Sequence, residues 1–314
     1  MTVGKMVFCV AIKGKTMIYD IAIIGSGPAG LTAAIYGARA NKSVLVLGGA
    51  ELGGQMGRIA QLENYPGFLG NGMDLAEFMK KQAESFGAVV IMESSLKIDK
   101  NDAGFSIRTE KAVYDAKTVI VATGGSPKRL EIRGAKEFTG RGVSYCATCD
   151  GFFYNGKTVA VYGGGNSALN DALYLANLAE KVLIIYRKPA FTRGERVLVD
   201  RVESAKNIEC LFNTEIESLD GDESGLTFLT TNHGQKIPVD GLFVAIGHEA
   251  NTDFLSEEFP RDNLGKLVAD GTTVADGLFV AGDVRSGNKM QICVATGWGC
   301  EAAMDAVTYL NKKG

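Results

Sequence analysis

The chain has 314 residues, 46% of them hydrophobic and 22% charged, and a formal net charge of −3. That length exceeds what a single core fills, so two domains are expected. A charge so near neutrality argues against nucleic acid or an anionic membrane as a general partner, and no apolar run approaches the roughly 20 residues that cross a bilayer.

Met1 to Thr16 contains a short apolar run, Met6 to Ile12, with Lys13 and Lys15 where a secretory signal would need small residues. The segment reads as a poorly specified extension, with Met17 as a possible alternative start. The first clear unit follows. Strand 18–24 meets the turn Gly25-Ser26-Gly27-Pro28-Ala29-Gly30, a helix opens at Leu31, and Ser43 to Leu47 forms the second strand. All-apolar strands suit a parallel sheet buried on both faces. Gly25 makes the tight turn, Gly27 lets a pyrophosphate approach the backbone, and Gly30 lets helix and strand pack closely, with the helix N-terminus facing the phosphate. Where an adenosine site usually offers an acid to the ribose, Leu47-Gly48-Gly49 stands instead, and Gly53-Gly54-Gln55 lies just beyond. Val119 to Gly124 closes this segment, and Gly125-Ser126-Pro127 reads as a turn and linker.

Cys146-Ala147-Thr148-Cys149-Asp150 comes next. Of the six cysteines, only Cys146 and Cys149 pair by spacing. Zinc would need four ligands, and the chain offers two histidines, His233 and His248, and no second pair, so redox work is the better reading. Cys9, Cys210, Cys293 and Cys300 read as small core residues.

A second unit opens at Thr158, whose strand leads into Gly163-Gly164-Gly165-Asn166-Ser167-Ala168. The next strand, from Lys181, ends in Tyr186-Arg187-Lys188, with Arg193 and Arg196 close by. An acid there would favour the free 2′-hydroxyl of NAD, whereas a basic cluster favours the 2′-phosphate of NADP. A solvated surface cluster is the plainer alternative. Tyr186 has the shape to stack on an adenine. Phe243 to His248 mirrors the Val119–Gly124 segment, Glu249 to Asp253 forms a second linker, and Phe279-Val280-Ala281-Gly282-Asp283 ends a strand with an acid suited to a ribityl hydroxyl or phosphate. A helix from about Gly299 ends the chain. Two linkers and no others are what a hinge between an inserted and a parent domain requires.

Taken together, these motifs resemble low-molecular-weight thioredoxin reductase over about residues 18 to 312. The resemblance rests on the two glycine turns, on Gly53-Gly54-Gln55 with Glu63-Asn64-Tyr65-Pro66-Gly67, on Cys146 to Gly151, on Gly247 to Thr252, and on Gly282-Asp283-Val284 with Gln291. It implies an α/β fold of two Rossmann-like dinucleotide-binding domains, the nicotinamide domain inserted into the FAD domain. Residues 17–125 and 252–314 would bind FAD, and 126–251 would bind NADPH and carry the dithiol. It implies a cytoplasmic homodimer that reduces thioredoxin or a thioredoxin-like protein, with no nucleic-acid or membrane partner.

By the same resemblance, Cys149 lies nearer the flavin, Cys146 attacks the partner disulfide and Asp150 protonates the leaving thiolate. FAD would be held by Gly25, Ser26, Gly27, Pro28, Ala29, Gly48, Gly53, Gly54, Gln55, Asn64, Asp283 and Gln291. NADPH would be held by Gly163, Gly165, Asn166, Ser167, Arg187, Lys188 and Arg193. Four departures stand out: Tyr186-Arg187-Lys188 for the usual His-Arg-Arg, Asn170-Asp171 for paired glutamates, Met290 for an arginine, and the sole tryptophan, Trp298, for a small or acidic residue. The first three leave NADH, ferredoxin or a deazaflavin open as donors, and a nucleotide-binding redox sensor remains a different class of reading. Trp298 is expected either at the start of the last helix beside the isoalloxazine or as a plain core residue.

Overall fold

The computed structural model describes residues 17–59, 62–102 and 104–313; the extension before Met17, with Cys9, lies outside them. The chain folds into two compact units. One runs up to Gly125 and resumes at Ala250; the other is Ser126–Glu249.

The first unit is built on an eight-stranded sheet. Its centre is parallel: Ile18–Ile24 lies between Val44–Leu47 and Val113–Val121, with Val89–Ile91 and Leu278–Val280 outside them. Alternation along one strand fills two cores. Ile21 and Ile23 face the helices Pro28–Arg39 and Ile292–Lys313, while Ala22 and Ile24 face Phe105, Ile107 and Leu267 on the other side. With both faces covered, the strand has to be apolar throughout. Strands Ser95–Asn101 and Gly104–Thr109 add an antiparallel flap. Register decides where the turns fall. Ile24 pairs with Leu47 and Val121, and Val121 pairs with Val280. The four strands therefore end level, so that Gly25, Gly48, Ala122 and Ala281 leave the sheet along one edge.

Glycine is required at two of these points. Gly25 has φ +114°, a conformation costly for any L side chain, and an added Cβ would overlap the Ala122 carbonyl oxygen. At Gly30 an added Cβ would overlap the Gly25 carbonyl oxygen and sit 3.3 Å from Ile23 Cγ2, so the helix could not pack so closely on the strand.

The second unit repeats the plan. Five parallel strands run in the order Val143–Ser144, Gly241–Val244, Thr158–Tyr162, Lys181–Tyr186, Ile208–Phe212. Helix Asn166–Ala176 covers one face through Ala168, Leu169, Ala172 and Leu175; an antiparallel trio, Ile216–Asp222, Gly225–Thr231 and Lys236–Pro238, lies against the other. Tyr162 pairs with Ile185 and Val244, again bringing a glycine turn, Gly163, to the C-terminal edge.

Two expectations are corrected. The last helix starts at Ile292, not near Gly299. The helix runs through both Gly297 and Gly299, and at Gly299 an added Cβ would overlap the Ala29 backbone, so this glycine permits a close helix–helix approach. The stretch Gly125–Pro127, read as a turn and linker, forms a short strand paired with His248–Ala250 instead of a turn. Among the described residues, no helix is long and apolar enough to cross a membrane.

Candidate functional site

Cys146 and Cys149 form a disulfide. The peptide turns into a short helix, Ala147–Asp150, in which the Cys149 N–H points at Cys146 Sγ at 3.2 Å and Thr148 Oγ1 lies 3.5 Å from the same sulfur. Ala147 is buried in the second unit's core, which anchors the turn, while Cys146 is half-buried and Cys149 exposed. Ser144 was not singled out by sequence. It is buried at the end of a two-residue strand, accepts from the Cys146 N–H at 3.0 Å and donates to Asp150 Oδ2 at 2.6 Å. One hydroxyl thus ties the carboxylate to the backbone of the cysteine. A serine two residues before a C-x-x-C is too common a residue to be noticed without this geometry. Immediately after the dithiol, Phe152 and Phe153 are 73% and 70% exposed, an apolar pair open to solvent beside the disulfide.

The glycine edges have the features of phosphate cradles. At the first, Ser26 is buried and donates to the Gly48 carbonyl at 2.8 Å, while the Gly53 N–H donates to the Ser26 carbonyl at 3.0 Å. These bonds hold Gly25-Ser26-Gly27, Gly48 and Gly53-Gly54 together. Gly27 has no atom nearer than 3.9 Å to an added Cβ and Gly49 has none within 4 Å, so the loop leaves open space in front of the turn. Pro28 begins the helix, with Ala29 buried behind it. Gln55 Nε2 donates to the Gly125 carbonyl at 3.0 Å, and Asn64 Nδ2 donates to Gln291 Oε1 at 3.2 Å. Asp283 follows Val280 and accepts from Asn288 Nδ2 at 2.6 Å, and burial holds its carboxyl above the ordinary range against the pull of Lys266 and Asn288. Asn288 Oδ1 beside it is buried without a hydrogen-bond partner, an orphan acceptor that a bound hydroxyl or amide would satisfy. These residues fit a flavin dinucleotide.

At the second edge, Gly163 has φ +148° and an added Cβ would overlap the Ala245 carbonyl oxygen; Gly165 opens onto free space, and Ser167 is exposed. Arg187 and Arg193 are exposed, and Lys188 is half-buried with Nζ 3.3 Å from Thr192 Oγ1. Arg196 pairs with Asp200 at 2.7 Å on its own helix. Asn166 is already engaged: its Nδ2 donates to Glu195 Oε1 at 2.8 Å and its Oδ1 accepts from the Glu195 N–H at 2.7 Å. Tyr186 is buried rather than offered to an adenine. Its ring lies against Gly164 and stacks on Phe191, with centroids 6.0 Å apart.

Outside these edges, one of the cysteines expected as small core residues lies at the surface. Cys210 and Cys300 are half-buried, as small core residues are, and burial pushes the Cys210 thiol up to about 11; Cys293, by contrast, is exposed in the first turn of the last helix. Trp298 lies inside that helix, half-buried against the first unit's core, with the Arg285 guanidinium 3.9 Å over its ring. His233 is exposed, with Nε2 3.0 Å from the Asn213 carbonyl. Asp171, where paired glutamates were looked for, sits on the second glycine-turn helix, and burial pushes its carboxyl up to about 7. A group neutral in the fold but ionised when unfolded favours unfolding once pH passes its ordinary value near 3.8, fully so above 7. Asp171→Asn is therefore expected to raise the melting temperature at pH 8 and leave it unchanged at pH 3, read by thermal unfolding at both.

The model of the pyridine nucleotide-disulphide oxidoreductase family matches residues 19–299, and the chain belongs to that family. Within it, a thioredoxin reductase of Coxiella burnetii is 39% identical over 315 residues, covering 95% of this chain and 98% of the relative. The crystal structure of Lactococcus lactis thioredoxin reductase superposes with a TM-score of 0.90 at 33% identity, over 94% of this chain and 99% of that one. A glucosaminate ammonia-lyase of Pseudomonas fluorescens is also 39% identical, over 93% of this chain and 95% of the relative. Similarity at this level therefore accompanies more than one named activity.

Proposed function

We propose that the protein is a thioredoxin-disulfide reductase that takes electrons from NADPH, holds FAD in its first unit, and delivers them through Cys146 and Cys149 to thioredoxin or a similar protein. The observation that carries this reading is the Cys146–Cys149 disulfide with the Asp150 carboxylate held beside it by Ser144. A structural disulfide would not need an acid fixed at its edge, nor would a lyase working without thiols need the pair.

In the reduced form, a thiolate at Cys146 attacks a partner disulfide, giving a mixed disulfide and a leaving thiolate; Cys149 then attacks Cys146 Sγ, releasing the reduced partner and restoring the internal disulfide. Asp150, held within the same turn, takes the proton that the Cys149 thiol gives up as it attacks and passes it to the leaving sulfur. Bound FAD supplies the two-electron link from nicotinamide to this disulfide. Gly25–Gly30, Gly48, Gly53-Gly54, Gln55, Asn64, Gln291 and Asp283 would hold it, the helix N-terminus at Pro28 facing the pyrophosphate. Gly163, Gly165 and Ser167 would receive the second pyrophosphate, with Arg187, Lys188 and Arg193 at the 2′-phosphate. Homodimerisation and a cytoplasmic setting belong to the same reading, the former checked by light scattering of the holoprotein.

Phe152 and Phe153 form the apolar ground on which a partner disulfide would settle. Phe152→Ala with Phe153→Ala is expected to raise KM for thioredoxin about tenfold or more, on the scale of hot-spot aromatics, without slowing flavin reduction by NADPH. Steady-state and stopped-flow kinetics separate the two.

The donor is tested by anaerobic titration with NADPH, NADH and reduced ferredoxin, following flavin bleaching. Charge-assisted contacts to phosphate are worth about 1.5–3 kcal/mol each, so two or three of them should give a large preference for NADPH. Lys188 keeps the charge of the family's arginine but loses its fork, which weakens the preference without abolishing it. Arg187→Ala with Arg193→Ala is expected to raise KM for NADPH far more than for NADH. Equal KM values in the unmodified protein, or bleaching by ferredoxin alone, would replace NADPH as donor.

A further inference from the structure

The loop from Arg187 to Glu195 leaves strand Lys181–Tyr186 and bends back onto the second glycine turn. Four contacts hold it there. Gly165 and Arg193 form a parallel backbone bridge. Asn166 and Glu195 exchange two hydrogen bonds, Asn166 Nδ2 to Glu195 Oε1 at 2.8 Å and the Glu195 N–H to Asn166 Oδ1 at 2.7 Å. At Gly194 an added Cβ would lie 2.5 Å from Leu169 Cδ1, so the loop backbone rests directly on the glycine-turn helix. Tyr186 and Phe191 stack beneath the loop, with the Tyr186 ring filling the space above Gly164.

The geometry points to Glu195 and Asn166 as a latch that sets Arg193 beside the glycine turn, and so as positioning residues for discrimination between phosphorylated and unphosphorylated adenosine. This rests on the reading above that Arg187, Lys188 and Arg193 receive the 2′-phosphate. The residue doing the positioning is an acid, which placed at a phosphate site would oppose binding. Here its carboxylate is turned to the Asn166 amide, and that bond holds it to the glycine-turn helix while Arg193, two residues earlier, is drawn to Gly165. Asn166 correspondingly has both polar ends on Glu195, so its contribution to nucleotide binding passes through the loop. The amide and the acid form one unit, and removing either side chain breaks the bond that ties this end of the loop to the glycine-turn helix.

The test uses the flavin-loaded protein and two probes, 2′,5′-ADP and 5′-AMP, titrated by calorimetry. In the unmodified protein 2′,5′-ADP should bind more tightly. Glu195→Ala is expected to weaken 2′,5′-ADP about tenfold, the size of one lost charge-assisted contact, while changing 5′-AMP by less than about twofold. Glu195→Gln, whose amide oxygen can still accept from Asn166, should restore the preference. In an Arg193→Ala background, Glu195→Ala should add little, since the group it positions is gone. Steady-state kinetics should show the same pattern as a rise in KM for NADPH with kcat held. Asn166→Ala attacks the latch from its other half and covers the case in which Glu195→Ala does not fold. An undiminished 2′,5′-ADP preference in Glu195→Ala or Asn166→Ala, or full additivity with Arg193→Ala, overturns the latch while leaving the phosphate site intact. Equal binding of the two probes to the unmodified protein overturns the phosphate site itself, and the latch with it.

Discussion

Replacing either Cys146 or Cys149 by serine is expected to lower thioredoxin-disulfide turnover more than about a thousandfold, the scale seen when a covalent nucleophile is removed. The reason is stoichiometric. Reduction of a partner disulfide needs one sulfur to attack and a second to resolve, and a serine hydroxyl does neither at neutral pH. The effect should stop there. Neither cysteine belongs to a glycine edge: Cys146 bonds with Ser144, Thr148 and Cys149, all within the same turn. Both variants should therefore stay yellow and be bleached by NADPH under anaerobic conditions. Ala147, buried beneath the turn, keeps its packing in each, so the melting temperature should shift only by the loss of a short disulfide loop. Turnover within tenfold of the unmodified protein in either variant would remove the dithiol from the mechanism. Loss of flavin from both would place these sulfurs in cofactor binding instead.

Gly25→Ala and Gly30→Ala should have the largest effects on the flavin itself. At Gly25 an alanine suffers twice. Its φ of +114° costs about 1–2 kcal/mol for an L residue, and collision of its Cβ with the Ala122 carbonyl adds an overpacking penalty of about 1–3 kcal/mol. At Gly30 the conformation is ordinary, and the whole penalty comes from the Cβ meeting the Gly25 carbonyl and Ile23. Relief of the Gly30 clash moves the helix Pro28–Arg39 away from its strand and relief of the Gly25 clash shifts the turn that leads into it, and either displaces the N–H groups that would face the pyrophosphate. Both variants should purify with less than a tenth of the flavin of the unmodified protein and lose several degrees of melting temperature, consistent with a penalty of a few kcal/mol. Gly54→Ala is a useful contrast: its φ of +54° carries the conformational cost, but its nearest atom to an added Cβ is 3.8 Å away. It should lose stability with less loss of flavin. Full flavin content in Gly30→Ala would mean that close helix–strand packing is not what builds the cradle.

These outcomes turn on the parts of the chain whose residues announced their structure. The parallel strands were legible because burial on both faces leaves no polar position, as in Ile21 to Ile24 and Val159 to Val161. The glycine turns were legible because only glycine satisfies a positive φ beside a carbonyl, and the dithiol because its spacing is short and local. What was illegible follows the opposite rule. The antiparallel strands Ser95–Asn101 and Ile216–Asp222 carry few buried residues at irregular spacing, which match no strong pattern. The last helix was expected from about Gly299, yet this glycine lies well inside it, since its role is toward Ala29, a residue far away in the chain.

Sequence alone determined that two nucleotide-type turns flank a redox-type cysteine pair, because each motif is a run of neighbours whose chemistry is set by their own backbone. The tertiary structure decided which distant residues serve them. Ser144 holds Asp150 because strand Val143–Ser144 pairs with Gly241–Val244 and thereby faces its hydroxyl toward the turn. Glu195 meets Asn166 because the loop after Lys181–Tyr186 folds back on the glycine-turn helix. Tyr186 is buried because Gly164 has no side chain to keep its ring out. Contacts of this kind depend on register and on helix placement, which no local pattern encodes.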